Sequence, residues 1–505
     1  LNELLAKRAS ELSLILSKEA AELLNELPNA LQVIEKIADA PDAPMVVSKQ
    51  QVAQAADQVE AENKSPKVAI TGGNTYQPIA ADIAADYNIY ESYDISGKSR
   101  CTGKVEDFVD YFKDRYKKLS TILKSRVSET PPTSIRALDS YTKGRLARVI
   151  VMVMEKKETK NGHLIVEVED MQDSLTCLVS RDSPQKLKDA ASNIGTDEVV
   201  ALEGVMSKDL FIVRDVIFPE IPIRQKKLAD EDVSVAYISD MHMGNRFFMK
   251  ENFERMIAFL NGKGTPQEQE IAGKIKYFAV IGDCVDGIGV HPDQEKELYT
   301  KDIYLQYEIM CEYLKQIPGH IEVFVQPGNH DAVRLSEPQP RLLEEFVKGT
   351  DGYKNIHFVG NPSMVDMHGV KHLLYHGNGA DGLIATIPAL KNGYQQPEKV
   401  GVEMLKRRLI CPTYGLEPIT PEARDYLVID EVPDVFAFGH LHKNAYADYR
   451  GTTVINSGCW QSITDYQVRK GHIVSPARLP VYNLHSGNFN LMHFEPQADK
   501  EVLPE

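Results

Sequence analysis

Tyr277-Phe278-Ala279-Val280-Ile281-Gly282-Asp283-Cys284-Val285-Asp286-Gly287 is the stretch on which the reading of this chain turns. An apolar run that closes on glycine reads as a strand buried on both faces, and this one delivers two carboxylates at its end. The design recurs on both sides of it. Val233 to Ser239 leads to Asp240-Met241-His242, and Ile321 to Val325 leads to Gly328-Asn329-His330-Asp331. Further on, Lys371 to Leu374 leads to Tyr375-His376-Gly377, Val435 to Phe438 to Gly439-His440-Leu441-His442, and Thr453 to Ile455 to Asn456-Ser457-Gly458. Polar residues with metal-ligating chemistry are therefore expected to converge at one end of a set of strands.

The spacing supports chelation. Asp240 with His242, and His440 with His442, are two positions apart, which puts both side chains of a pair on one face of extended chain. Asp283 has two carboxylate oxygens and can bridge two cations, while imidazoles and an amide oxygen complete the shells without surplus negative charge. A lone histidine would more often be a surface or hydrogen-bonded residue. Five such blocks in this order are a far more specific signal than any one of them. Cys284 beside the bridging carboxylate reads as packing, because thiolate is too soft for Mg2+ or Mn2+.

Together these blocks resemble the calcineurin-like metallophosphoesterase superfamily, over roughly residues 232 to 490. The resemblance implies an α/β domain of two β-sheets packed between helices. It implies two divalent metal ions, Mn2+ or Mg2+ with Zn2+ or Fe as alternatives. One would be held by Asp240, His242, Asp283 and His442, the other by Asp283, Asn329, His376 and His440. His330 follows Asn329 and is needed in neither shell, so it is the candidate acid for the leaving group. Asp286 or Asp331 would orient its imidazole; the resemblance favours Asp286, and Asp331 reads equally well as a turn or cap residue.

Working outward, 505 residues exceed what one core normally organises, so a multidomain α/β chain is expected. Leu4, Leu5, Leu12, Ile15, Leu16, Leu23 and Leu24 recur at helical spacing and mark a helical module over 1–40. Residues 41–100, rich in small and polar side chains in their first part, read as a linker. A helical lead-in over 101–130 follows, carrying Phe108, Tyr111, Phe112, Tyr116, Leu119 and Leu123. Five short apolar runs, Ala147 to Met154, His163 to Glu169, Ser174 to Val179, Glu198 to Val205 and Asp209 to Val216, predict an OB-fold β-barrel over 131–225. The strands lack evident stacking aromatics, which favours a structural barrel over one that binds single strands. The phosphoesterase domain is assigned to 232–505.

The net charge of -16 excludes a surface that attracts nucleic acid everywhere, so any DNA contact must be local. Lys113, Arg115, Lys117, Lys118, Lys124 and Arg126, or Lys406, Arg407 and Arg408, are the basic runs that could supply it, with a solvated helix face as the alternative for each. No individual DNA-binding residue stands out. Six scattered cysteines without a Cys-x-x-Cys pair fit a reduced, cytoplasmic protein. No apolar run reaches the roughly 18 to 20 residues that span a bilayer, Arg8, Glu11, Lys18 and Glu19 break the N-terminal pattern, and no export signal is expected. The first residue is Leu1 rather than methionine, so an upstream piece is allowed for.

The segments between the blocks carry a closer resemblance. Gly382-Leu383-Ile384-Ala385-Thr386-Ile387-Pro388, Leu405-Lys406-Arg407-Arg408, Tyr449-Arg450-Gly451 and Ile455-Asn456-Ser457-Gly458-Cys459-Trp460-Gln461 look like the small subunits of archaeal D-family DNA polymerases. The order of helical module, linker, barrel and phosphoesterase is similar too. That resemblance implies a 3'-to-5' exonuclease that proofreads in DNA replication and scaffolds a large polymerising subunit in a heterodimer. Single-stranded or primer-template DNA would be the substrate. A sliding clamp is a further candidate partner, because Tyr111-Phe112 ends like a clamp-binding peptide, although the leading glutamine is missing. No membrane partner is expected. Two other readings stay open: a non-catalytic scaffold subunit, and a generic metallophosphoesterase acting on other phosphoesters.

Overall fold

The computed structural model describes residues 76–126, 129–141, 144–464, 467–468 and 472–495, and, before them, 14–27, 30–38 and 46–63 with residues 5, 9 and 12. The chain divides into two units, Leu1–Thr75 and Tyr76–Glu505. Among the described residues no helix is long and apolar enough to cross a membrane.

In the first unit, helices Lys18–Glu26, Ala30–Ala38 and Lys49–Asn63 enclose a small core of Leu24, Val33, Ile34, Val47 and Val52, all fully buried. Ser17 caps the first helix, its Oγ accepting from Ala20 N at 3.2 Å. The linker expected from residue 41 is corrected over 46–63. Val46–Val47 pairs in parallel with Ile15–Leu16, and the third helix packs against the other two. That helix buries Val52 and Ala55 rather than a stripe of large side chains, so it leaves a weak periodic signal.

The expected linker also fails over 76–100. Tyr87–Ile89 is an edge strand, antiparallel to Ser363–Met367, and Tyr277 Oη donates to the Asp86 carbonyl at 2.7 Å. The lead-in helix runs Val105–Ser125 and buries Tyr111, Arg115, Leu119 and Leu123. Tyr111 is thus a core residue, which removes it as the aromatic anchor of a clamp-binding peptide. Arg115, also fully buried, donates from Nε to Asp425 Oδ2 at 2.7 Å and from Nη1 to the Asp197 carbonyl at 3.0 Å. The helix is therefore bolted both to the barrel, through Asp197, and to the segment that carries Asp425.

Five strands, Leu146–Glu158, Leu164–Glu169, Ser174–Val179, Val199–Ser207 and Leu210–Ile217, form the barrel. Their order is first, second, third, fifth, fourth, and pairing of the fourth with the first closes the ring. Helix Gln185–Ser192 lies between the third and fourth in sequence. Val149, Val151, Val166, Val168, Cys177, Leu202 and Phe211 fill the interior.

Two six-stranded sheets make up the rest. One has the order Ile356–Phe358, Glu322–Gln326, Ile275–Ile281, Ser234–Ile238, Arg478–Asn483, Phe489–His493; the other Ala445–Tyr449, Thr452–Asn456, Val435–Phe438, Val370–Tyr375, Ser363–Met367, Tyr87–Ile89. Val235, Tyr237, Ala279, Ile281 and Phe324 of the first share a core with Leu374, Ala437 and Ile455 of the second. The outer face of the first packs on helices Lys250–Leu260 and Ile303–Leu314, that of the second on Val105–Ser125, Gly379–Thr386 and Pro397–Arg407. Being covered on both sides explains why every residue of Ser234–Ile238 and Ile275–Ile281 is buried. Parallel pairing within each sheet aligns the C-terminal ends of the central strands.

Candidate metal centre

All the residues singled out as ligands meet at those aligned ends. Asp240, His242, Asp283 and His376 are buried, while Asn329, His330, His440 and His442 keep some exposure and form the open side. The donors separate into two groups around Asp283. Asp283 Oδ2 lies 3.8 Å from His242 Nε2, whose neighbour His442 Nε2 is 3.2 Å away and itself 3.2 Å from Asp240 Oδ1. Asp283 Oδ1 lies 3.3 Å from His376 Nε2. Asn329 Oδ1 is 3.0 Å from His376 Nε2 and 3.1 Å from His440 Nδ1. Among the described residues, Asp240, His242 and His442, and Asp240, Asp283 and His376, are sets close enough to share an ion; so are His242, Asp286 and His330.

The local backbone is bent to achieve this. Asp240, His242, Asp283, His440 and His442 all adopt left-handed conformations, with φ between 49° and 66°. Non-glycine residues reach that region only at a cost, and such outliers gather at functional sites. Glycines clear the approach. A Cβ on Gly328 would lie 2.3 Å from Asp283 Oδ1, and one on Gly282 would lie 2.5 Å from His376 Nδ1.

Each imidazole is held from behind. His242 Nδ1 is 3.0 Å from Asp286 Oδ1, His376 Nδ1 is 2.9 Å from the Ile281 carbonyl, His440 Nε2 is 3.0 Å from Asp381 Oδ2, and His442 Nδ1 is 2.8 Å from Gln467 Nε2. For His242, His376 and His440 the partner is an acceptor, which puts the ring proton on the outer nitrogen and leaves the inner one free to bind; Gln467 Nε2 is a donor and holds the His442 ring through Nδ1. The Asp240 carboxylate braces the opposite group through Oδ2, which accepts from His440 N at 2.9 Å and from the Ser239 hydroxyl.

The expectation for Asp286 changes in detail. Its carboxylate is turned to His242 and to Gln294 Nε2 at 2.8 Å. His330 Nδ1 is instead 2.8 Å from the Asp286 main-chain carbonyl, with the carboxylate at 3.9 Å. Asp331 does not touch His330's ring: it accepts from the backbone N–H groups of Gly328 and Cys284, at 2.8 and 3.1 Å, and from Tyr307 Oη at 3.0 Å. It braces the two ligand loops against each other, and burial together with nearby Asp283 pushes its pKa up to about 6. Burial opposes ionisation of Asp283 as well, but His376, His330 and His242 more than offset that and hold it well below the usual carboxylate range.

These residues fit a pair of hard or borderline divalent ions. Asp240 Oδ1 is buried and accepts no hydrogen bond despite its nearness to His442. Two imidazole nitrogens face each other across 3.2 Å, and the donors are oxygen and nitrogen only. Cys284 points away, its thiol 3.7 Å from the Gln326 carbonyl, and Trp460 is fully buried between Phe253 and Phe494.

Several members of the basic runs spend their charge elsewhere in the fold. Arg407 is buried and donates from Nε to Glu198 Oε1 at 2.6 Å, and Arg408 donates from Nε to the Ile429 carbonyl at 2.7 Å. Lys118 pairs with Asp114 and Asp430, and Arg126 donates to the Pro219 carbonyl. Sequence reasoning missed Asp381 and Gln467. Asp381 sits immediately before the run that begins at Gly382, but its separation from His440 in sequence offers no spacing rule.

Residues 235–446 match the family model for the B-type subunits of DNA polymerases alpha and epsilon. The chain is 41% identical over 410 residues to the DNA polymerase II small subunit of Methanocaldococcus jannaschii, covering 80% of this chain and 68% of the relative. It is 39% identical over 391 residues to that of Archaeoglobus fulgidus, covering 77% of each. For Methanothermobacter thermautotrophicus the figures are 34% over 422 residues, 83% of this chain and 85% of the relative.

Proposed function

Because this chain belongs to the family of archaeal DNA polymerase II small subunits, we propose that it is a metal-dependent 3'-to-5' exonuclease working beside a large polymerising subunit. It would remove misincorporated nucleotides in the cytoplasm and scaffold its partner. The observation that carries the reading is the two-sided use of Asp283, whose oxygens face different donor groups. Asp240, His242, Asp283 and His442 would hold one divalent ion, and Asp283, Asn329, His376 and His440 the other, Mn2+ or Mg2+ with Zn2+ or Fe as alternatives. When bound, such a pair supplies Lewis acidity to a phosphodiester and lowers the pKa of water.

The chain's own residues then account for selectivity and proton movement. The partly exposed Asn329, His330, His440 and His442 line the side from which a terminal phosphodiester enters. Unpaired 3' ends pay no melting cost to reach it. Water adds to phosphorus, the bond to the 3' oxygen of the preceding sugar breaks, and a 5'-nucleotide leaves. That oxygen departs as a basic alkoxide. His330 meets the need for a proton: with Nδ1–H donating to the Asp286 carbonyl, a protonated ring presents Nε2–H to the leaving oxygen. The His330 backbone N–H also donates to Asp283 Oδ1 at 2.9 Å, fixing the ring beside the bridging carboxylate.

Metal analysis tests the reading. Asp283→Ala should lose both ions and all phosphodiester hydrolysis, because both donor groups depend on that carboxylate. An Asp283→Ala protein that keeps two tightly bound ions and digests DNA at the parent's rate would contradict it.

A further inference from the structure

The outer partners of the four imidazoles are unequal, and the inequality is patterned. In the group around Asp240, His242 has a carboxylate behind it, Asp286, while His442 has the Gln467 amide. In the other group, His376 has a main-chain carbonyl and His440 has the Asp381 carboxylate. Each donor group thus contains one imidazole backed by an anion. An anion there fixes the tautomer and raises the basicity of the inward nitrogen.

Asp381 is itself held in place. It lies in the first turn of helix Gly379–Thr386, where the helix dipole favours a carboxylate. Its Oδ1 accepts from Tyr394 Oη at 2.7 Å, leaving Oδ2 for His440. Tyr394 in turn stacks on His472, with centroids 4.3 Å apart and planes at 24°. With Nε2–H committed to Asp381, His440 turns Nδ1 towards Asn329 Oδ1, another donor of its group.

We propose that Asp381 is a positioning residue for a divalent cation at the Asp283–Asn329–His376–His440 group, acting through His440, and that Asp286 does the same for the other group through His242. The two cations are then separately tunable, each by its own outer carboxylate. The inference rests on the metal-binding part of the proposed function, but not on DNA being the substrate.

The test is a Mn2+ titration of the full chain, following free Mn2+ by electron paramagnetic resonance, with His440→Ala as the marker for one ion. Asp381→Ala should weaken the ion lost in His440→Ala by about 10- to 100-fold and leave the other at the parent's affinity. Asp286→Ala should do the reverse. Asp381→Asn, which keeps an acceptor oxygen, should recover part of the loss, and Tyr394→Phe should give a smaller loss on the same ion. Parent-like binding of both ions by Asp381→Ala would overturn the proposal, as would a loss falling on the ion that Asp286→Ala weakens. An equal loss of both ions with a lowered melting temperature would make Asp381 merely structural. Binding alone decides the positioning role, whereas digestion of DNA decides the nuclease reading, so the two fail separately.

Discussion

Single residues divide the site's labour, and two of them yield sharp expectations. His330→Ala should keep its metals yet slow DNA hydrolysis by about 10² to 10⁴, because the alkoxide leaving group needs a proton. With bis-nitrophenyl phosphate, whose phenolate leaves unaided, the same variant should retain much more activity; equal losses on both substrates would refute the acid role. Glu337 is fully buried, with Oε2 accepting from Tyr375 Oη at 2.9 Å. Burial pushes its pKa from 4.5 up to about 7, against the lowering effect of Tyr375. The folded protein therefore keeps a proton that the unfolded chain releases. The stability this confers is complete below pH 4.5 and is lost as pH rises through about 7. Melting in the presence of chelator should show Glu337→Gln gaining on the parent between pH 5 and pH 8; a constant difference would remove Glu337 from the pH dependence. At this scale the convergence of the Asp-x-His and His-x-His blocks was legible, since each follows directly on an apolar strand. The roles of Asp381 and Gln467, and the turn of Asp286 towards His242, depend on contacts between distant segments that no spacing reveals.

Among the elements, helix Val105–Ser125 is anchored by one buried side chain. Arg115 and Asp425 are both fully buried, and removing one member of such a pair strands the other charge, at a cost of about 3–5 kcal/mol. Arg115→Ala should lower the urea midpoint accordingly, and Arg115→Lys should fall between, since an ammonium cannot reproduce the guanidinium fork to Asp425, Asp197 and Tyr111. An unchanged midpoint for Arg115→Ala would show the pair to be incidental. The buried parallel strands and the barrel strands were readable because length and apolarity mark them without reference to partners. Two elements were not. Helix Lys49–Asn63 is largely Ala, Gln and charge, so its composition mimics a linker. Tyr87–Ile89 is a three-residue edge strand whose partner, Ser363–Met367, lies far along the chain. Basic runs misled in the opposite sense: Arg115, Arg407 and Arg408 look like a nucleic-acid surface in sequence but spend their charge inside the fold.

Across the whole molecule, an acidic chain of -16 concentrates oxygen and nitrogen donors at the meeting edge of two sheets, where cations would offset local negative charge before a phosphodiester arrives. Membership of a polymerase small-subunit family places the chain in DNA replication, and the proposal that these residues trim 3' ends is the claim on which the rest depends. One measurement reaches it directly. Single-stranded oligonucleotides labelled at the 5' end or at the 3' end are incubated with the purified protein and Mn2+, beside an Asp283→Ala control and a chelated sample. The 3' label should be released at once as a mononucleotide, while the 5' label appears in a ladder that shortens with time, and both should vanish with Asp283→Ala or chelator. Release of the 5' label first, or digestion that survives loss of Asp283, would contradict the account.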